Sequence, residues 1–128
     1  MKKLTGKIIS GIGDFSKKMM EIPGYLDAYE RKLHMRFFPG TLNIVLEEPY
    51  SIPPDSMRLE KEEYGGTVSV YIVPCKMFGR QAYILRTEKN ELESGPHSKT
   101  IIEVACDIKL RDEFSLSDGD LVSLELQQ

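Results

Sequence analysis

The sequence predicts a mainly β protein, in which about six short strands and one or two short helices close into a compact barrel. Two observations carry this. Short windows alternate apolar and polar residues, most cleanly at Val68, Val70 and Ile72, and the windows are bounded by Gly- and Pro-containing turn signals. A length of 128 residues suits one domain with its own core, so a single barrel domain is expected over 1–128.

The elements follow in order. Lys7 to Ser10 reads as a first strand, ended by Gly11-Ile12-Gly13. Pro23-Gly24 marks a turn. Tyr25, Tyr29 and Leu33 recur at fourfold spacing, which predicts one amphipathic helix over about 25–35. Pro39-Gly40 breaks the chain before a strand at Thr41–Leu46. Pro53-Pro54 and the polar run Arg58–Glu63 predict a loop or a sheet edge. Strands are expected at Thr67–Val73, Gln81–Arg86, Thr100–Cys106 and Leu121–Leu126, with a polar loop over Glu88–Pro96. Leu110–Phe114 predicts a single helical turn, and Ser117-Asp118-Gly119-Asp120 a tight turn before the last strand.

Charge narrows the function. The net charge is −3, which argues against indiscriminate binding to nucleic acid. Residues 1–36 carry eight Lys or Arg against four Asp or Glu, and the remainder nine against sixteen. The basic third suits either a polyphosphate or a solvated helix face. Cys75 and Cys106, 31 positions apart, form neither a zinc pattern nor a CxxC. They read as buried, reduced thiols, which fits a cytoplasmic protein. The N-terminus has no apolar stretch of signal length, and no window nears 18 apolar residues, so no membrane partner is expected. Neither His34 nor His97 lies in a metal-ligand spacing or a triad.

Four constellations carry candidate chemistry. In Pro39-Gly40-Thr41-Leu42-Asn43, Thr41 and Asn43 share one strand face while Leu42, Ile44 and Leu46 take the other. A hydroxyl and an amide oxygen at that spacing suit Mg²⁺, and they equally suit backbone groups at a strand start. Gly11-Ile12-Gly13, followed by Asp14, Phe15, Ser16 and Lys17, allows backbone N–H groups close to a phosphate, and also makes an ordinary turn. It is not the dinucleotide fingerprint, since the third glycine is missing. Glu103 lies inside the apolar run Ile101–Cys106. It must be paired, face a site, or sit on the wet face of an edge strand. Arg111, in Leu110-Arg111-Asp112, suits a phosphate or a carboxylate.

The order of these motifs resembles the archaeal CTP-dependent riboflavin kinases. It runs from the glycine turn through Ile22-Pro23-Gly24-Tyr25 and Phe38-Pro39-Gly40-Thr41-Leu42-Asn43. It continues with His97, Ile101-Ile102-Glu103-Val104, Lys109-Leu110-Arg111 and Leu116-Ser117-Asp118-Gly119-Asp120. The resemblance covers about residues 6 to 126. It implies a six-stranded cradle-loop barrel and phosphoryl transfer from CTP to the riboflavin 5′-hydroxyl. It implies one Mg²⁺ on Thr41 and Asn43. The cytidine nucleotide would lie among Gly11, Ile12, Gly13, Asp14, Phe15, Ser16 and Lys17, and among Ile108, Lys109, Leu110 and Arg111. Glu103 would contact flavin and is the candidate general base. Phe15 stands where the family often has glycine. Gly95 stands where a flavin-contacting threonine often lies, and Thr87 takes that role if Glu88–Ser94 is an insertion. The expected partners are riboflavin and CTP, for a monomer without the winged-helix domain some members carry. Two rival readings remain: a flavin- or nucleotide-binding protein without turnover, and a dimeric cradle-loop DNA-binding module. The acidic C-terminal two-thirds argues against the second.

Overall fold

The computed structural model describes residues 2–10, 15–92 and 99–127. Its strands are β1 (Lys3–Ile9), β2 (Leu42–Leu46), β3 (Met57–Leu59), β4 (Val70–Met77), β5 (Arg80–Thr87), β6 (Ile101–Ala105) and β7 (Leu121–Leu126). The helices are α1 (Phe15–Glu21), α2 (Tyr25–Leu33), α3 (Glu88–Glu91) and α4 (Leu110–Glu113), with a 3₁₀ turn at Lys61–Glu63. Six strands close an antiparallel barrel in the order β4-β5-β6-β2-β1-β7, with β7 returning to β4. The seventh, β3, adds to the outside edge of β4. Closure removes the open sheet edge that a flat arrangement of these strands would present.

Strand alternation builds two cores from one wall. Ile8, Ile44, Ile84, Ile102, Val104 and Leu124 point into the barrel. The opposite faces of β4, β5 and β6 contribute Val70, Ile72, Leu85 and Ala105 to a second core, roofed by α1 and α2 through Phe15, Met19, Tyr25, Ala28 and Tyr29. Glu103 lies on this second face, between its cross-strand neighbours Asn43 on β2 and Leu85 on β5.

Helix α2 matches the fourfold spacing and stops at Leu33, two residues before the predicted end. His34 takes a left-handed conformation (φ 57°), and its N–H closes on the Glu30 carbonyl at 2.8 Å. Helix α1 departs from the expected glycine-flanked loop. Phe15 and Met19, four apart, are both buried, so packing on the barrel fixes a seven-residue helix. The strand expected at Thr67–Val73 instead runs from Val70 through Pro74 to Met77. Pro74 is tolerated because its carbonyl accepts from Gln127 N–H, on the β7 side. A residue's N–H and C=O point the same way in a strand, so the ladder to β5 loses no donor. Among the described residues, no helix is long and apolar enough to cross a membrane.

Candidate active site

A cleft of about 540 Å³ opens beside the β2–β6 end of the barrel. Three stretches meet there: Phe15 and Ser16 at the start of α1, Phe38 to Asn43 before and within β2, and Ile108 to Arg111 leading into α4. Val104 and Cys106 form part of its wall, and Met20 its rim. Phe15 and Ser16, from one stretch assigned to the nucleotide, and Ile108 to Arg111, from the other, thus line one cavity with Thr41 and Asn43. Among the described residues its charged lining side chains, Lys109 and Arg111, are both cationic, in a chain of net charge −3. Such a lining favours an anion.

The loop before β2 is held on both sides. Phe38 N–H donates to the Cys106 carbonyl at 2.9 Å, and Gly40 N–H points at the Met19 sulfur at 3.3 Å. Gly40 has φ 126°, a conformation that a side chain would strain, and it passes close to Ser16. Thr41 Oγ1 donates to Glu103 Oε1 at 3.0 Å and lies 3.5 Å from Asn43 Oδ1. A hydroxyl carries one proton. The shorter bond commits it to the carboxylate, so Thr41 and Asn43 set oxygen lone pairs side by side. Hard, uncharged oxygens backed by one carboxylate fit Mg²⁺, which takes few protein ligands and the rest from phosphate and water. Among the described residues, no three His, Cys, Asp or Glu side chains are grouped to hold a metal.

Glu103 is only 6% exposed, which rules out the wet face of an edge strand. It does not line the cleft but reaches it through Thr41. Phe15 is 3% exposed; it belongs to the second core and closes the cleft floor from that side. Lys17 is exposed on α1 and lies outside the cleft lining. Thr87 is likewise not brought to the cleft. Its hydroxyl caps α3 by accepting from Asn90 N–H at 3.2 Å. Gly11, Ile12, Gly13, Asp14, Gly95 and His97 lie outside the described residues.

Two features escape a reading of motifs. Phe38 is 43% exposed on the cleft, an aromatic face beside a polar cluster; its place next to Pro39-Gly40 was the available signal. Arg111 belongs to a ring of contacts. Its Nη1 lies 2.9 Å from Asp118 Oδ1, its Nη2 donates to Ser10 Oγ at 2.9 Å, and Ser10 Oγ donates to Asp118 Oδ1 at 2.7 Å. The Ser10 hydrogen bond, then Arg111, hold the Asp118 carboxyl below the usual carboxylate range. Burial, by contrast, pushes the Cys106 thiol on the cleft wall up, which disfavours its thiolate.

The family model for the CTP-dependent riboflavin kinase domain, described as domain of unknown function DUF120, matches residues 8–126. A riboflavin kinase of Methanosarcina barkeri is 31% identical over 98% of this chain and 57% of its own length. One of Pyrobaculum aerophilum is 32% identical over 97% of this chain and 60% of its own length. One of Archaeoglobus fulgidus is 28% identical over 97% of this chain and 54% of its own length. The chain therefore spans little more than half the length of the curated relatives it matches.

Proposed function

The chain belongs to the CTP-dependent riboflavin kinase family, and we propose that it transfers the terminal phosphoryl group of CTP to the riboflavin 5′-hydroxyl, giving FMN and CDP. One observation carries this reading. A single cleft gathers Ser16, Thr41, Asn43, Lys109 and Arg111, side chains whose chemistry suits a phosphate or a cation, from three distant stretches.

Phosphoryl transfer asks a protein mainly for in-line positioning and for neutralisation of charge on the transferred group. Lys109 and Arg111 hold the polyphosphate by charge and by the guanidinium fork. Mg²⁺, when bound by Thr41 and Asn43, supplies further neutralisation of phosphate oxygens. Glu103 orients Thr41 through the 3.0 Å hydrogen bond; its contact with the flavin is what the family resemblance implies. The proton of the attacking 5′-hydroxyl passes to a base or to water as the new O–P bond forms and CDP leaves with the bond electrons.

The test is direct. Purified protein is mixed with riboflavin, Mg²⁺ and each nucleoside triphosphate in turn, and FMN is separated and measured. FMN formation with CTP, and much less with ATP or GTP, is expected. Turnover at equal rates with ATP and CTP sinks the donor assignment alone. Flavin binding without turnover by any triphosphate sinks the kinase.

A further inference from the structure

We infer that Asp118 is a positioning residue for the nucleotide: it ties the end of β1 to α4 and fixes the Arg111 fork at the cleft. The inference rests on reading the cleft as the nucleotide site.

The turn that bears Asp118 is itself anchored. Gly119 N–H donates to the Ile8 carbonyl at 2.8 Å, and Ile8 N–H donates to the Asp120 carbonyl at 3.0 Å. Asp120 folds back to accept from Ser117 N–H at 2.8 Å, and Gly119 takes φ 89°, which glycine adopts without strain. Asp118 is thereby delivered to Ser10, the last described residue before the glycine stretch. Its Oδ1 accepts from Ser10 Oγ and from Arg111 Nη1, while Arg111 Nη2 reaches Ser10 Oγ and, at 3.4 Å, the Ile9 carbonyl. The guanidinium is thus pinned through both terminal nitrogens. Of its five N–H donors, at least two are not used by these contacts.

An isolated exposed ion pair contributes little. This one differs because three side chains close on one another and two of the elements they join are fixed by backbone bonds. The resulting order is imposed before any ligand arrives, which is where positioning gains affinity. The sign of the effect separates positioning from simple charge. Asp118 is an anion near a site for a polyanion. If only its charge mattered, removing it would tighten CTP. If it holds Arg111, removing it weakens CTP.

The full chain is compared as wild type, Asp118→Asn, Asp118→Ala, Arg111→Ala and the Asp118→Ala/Arg111→Ala double variant. KM for CTP is expected to rise about fivefold in both Asp118 variants, with KM for riboflavin and the melting temperature unchanged. In the Arg111→Ala background, loss of Asp118 adds nothing. An unchanged or lowered KM for CTP in Asp118→Ala overturns the inference, as does an equal rise for both substrates. A second readout needs no nucleotide. Guanidinium ¹⁵N NMR should show Arg111 with restricted, resolved Nη signals in wild type and averaged ones in Asp118→Asn. Averaged signals in wild type, or no change in Asp118→Asn, overturn the inference by themselves. A wild type that turns over no triphosphate removes the kinase reading, and the NMR comparison then still decides whether Asp118 holds Arg111.

Discussion

Thr41 donates a 3.0 Å hydrogen bond to Glu103, a residue 62 positions further along the chain. The register of β2 on β6 makes this pair. Asn43 sits directly across from Glu103, and Thr41 shares its strand face two residues earlier. Each residue solves a problem for the other. A carboxylate between Asn43 and Leu85, under the helices, is costly unless donors meet it. A hydroxyl that is to offer lone pairs to a cation must send its proton elsewhere. The pair therefore joins the oxygen cluster to the second core, and the chemistry of one is set by the charge of the other.

Replacing Thr41 with Val keeps its shape and removes the hydroxyl; Asn43→Leu removes the amide oxygen. Either change is expected to lower turnover on the order of a hundredfold, because charge on the transferred phosphate loses a stabilising ligand. Thr41→Ser should retain most activity. Initial rates across a Mg²⁺ titration check this, with circular dichroism confirming the fold. Wild-type rates with an unshifted Mg²⁺ requirement reject the altered residue as a ligand.

Arg86 makes the sharpest stability prediction. It is 3% exposed and donates to the carbonyls of Tyr50, Lys99 and Ile101 and to Glu91. Three chain segments converge on one guanidinium. Arg86→Met keeps the stem but strips three carbonyls of their donor and takes from Glu91 the nearer of its two cations, leaving Lys99 at 3.5 Å, at a cost of about 2–4 kcal/mol. Arg86→Lys should recover little, since a single ammonium cannot span four acceptors in a planar fork. Urea unfolding of the three proteins measures this; a loss no larger than that of an exposed Arg→Met change rejects the latch.

The barrel was largely legible in the sequence, as were Thr41, Asn43 and Ile108 to Arg111 as neighbours in one cleft, and the exceptions have physical causes. Alternation identified β2, β5, β6 and β7 because each has one face in the barrel core. It misplaced β4, since Pro74 looks like a strand end unless one knows that it faces Gln127 on the β7 side, where it need only accept, and owes no donor to β5. Helix α1 was hidden because only Phe15 and Met19 mark its buried face, too few for a period. Thr41, Asn43 and Arg111 stood out through order along the chain. The partners that orient them, Glu103 and Asp118, depend on strand register and on the turn's backbone bonds to β1. No spacing in the sequence encodes those.

Stability should fall in alkali for a specific reason. Burial, then the neighbouring Cys106, push the Cys75 thiol from its ordinary 9.0 up to about 12. A group that binds its proton more tightly when folded stabilises the protein below its unfolded pKa. That contribution is lost as pH rises from about 9 towards 12. Tyr29, raised chiefly by burial, acts in the same direction from its ordinary 10.0 upward. Chemical denaturation across this range should show a steady decline. Cys75→Ala should start less stable, with a small cavity, and decline less steeply. Identical slopes for the two proteins would falsify the assignment to Cys75.

Glu103→Gln separates two roles for the buried carboxylate. The substitution keeps size and one acceptor oxygen but removes charge and basicity. If Glu103 takes the proton from the 5′-hydroxyl, turnover collapses by roughly a hundredfold or more while riboflavin affinity holds. If it acts by orienting Thr41 and the flavin, riboflavin binding weakens and turnover falls only several-fold. The geometry favours the second outcome, because the carboxylate stands behind Thr41 instead of lining the cleft. Glu103→Ala then does more damage than Glu103→Gln. It leaves the Thr41 hydroxyl without this acceptor and opens a void in the second core, together about 2–4 kcal/mol. Thr41→Val combined with Glu103→Gln should be less than additive, since each change breaks the same bond. Riboflavin fluorescence titration and FMN formation, measured on the same preparations, decide between the roles. Wild-type values for both quantities in Glu103→Gln and Glu103→Ala would remove Glu103 from the site altogether.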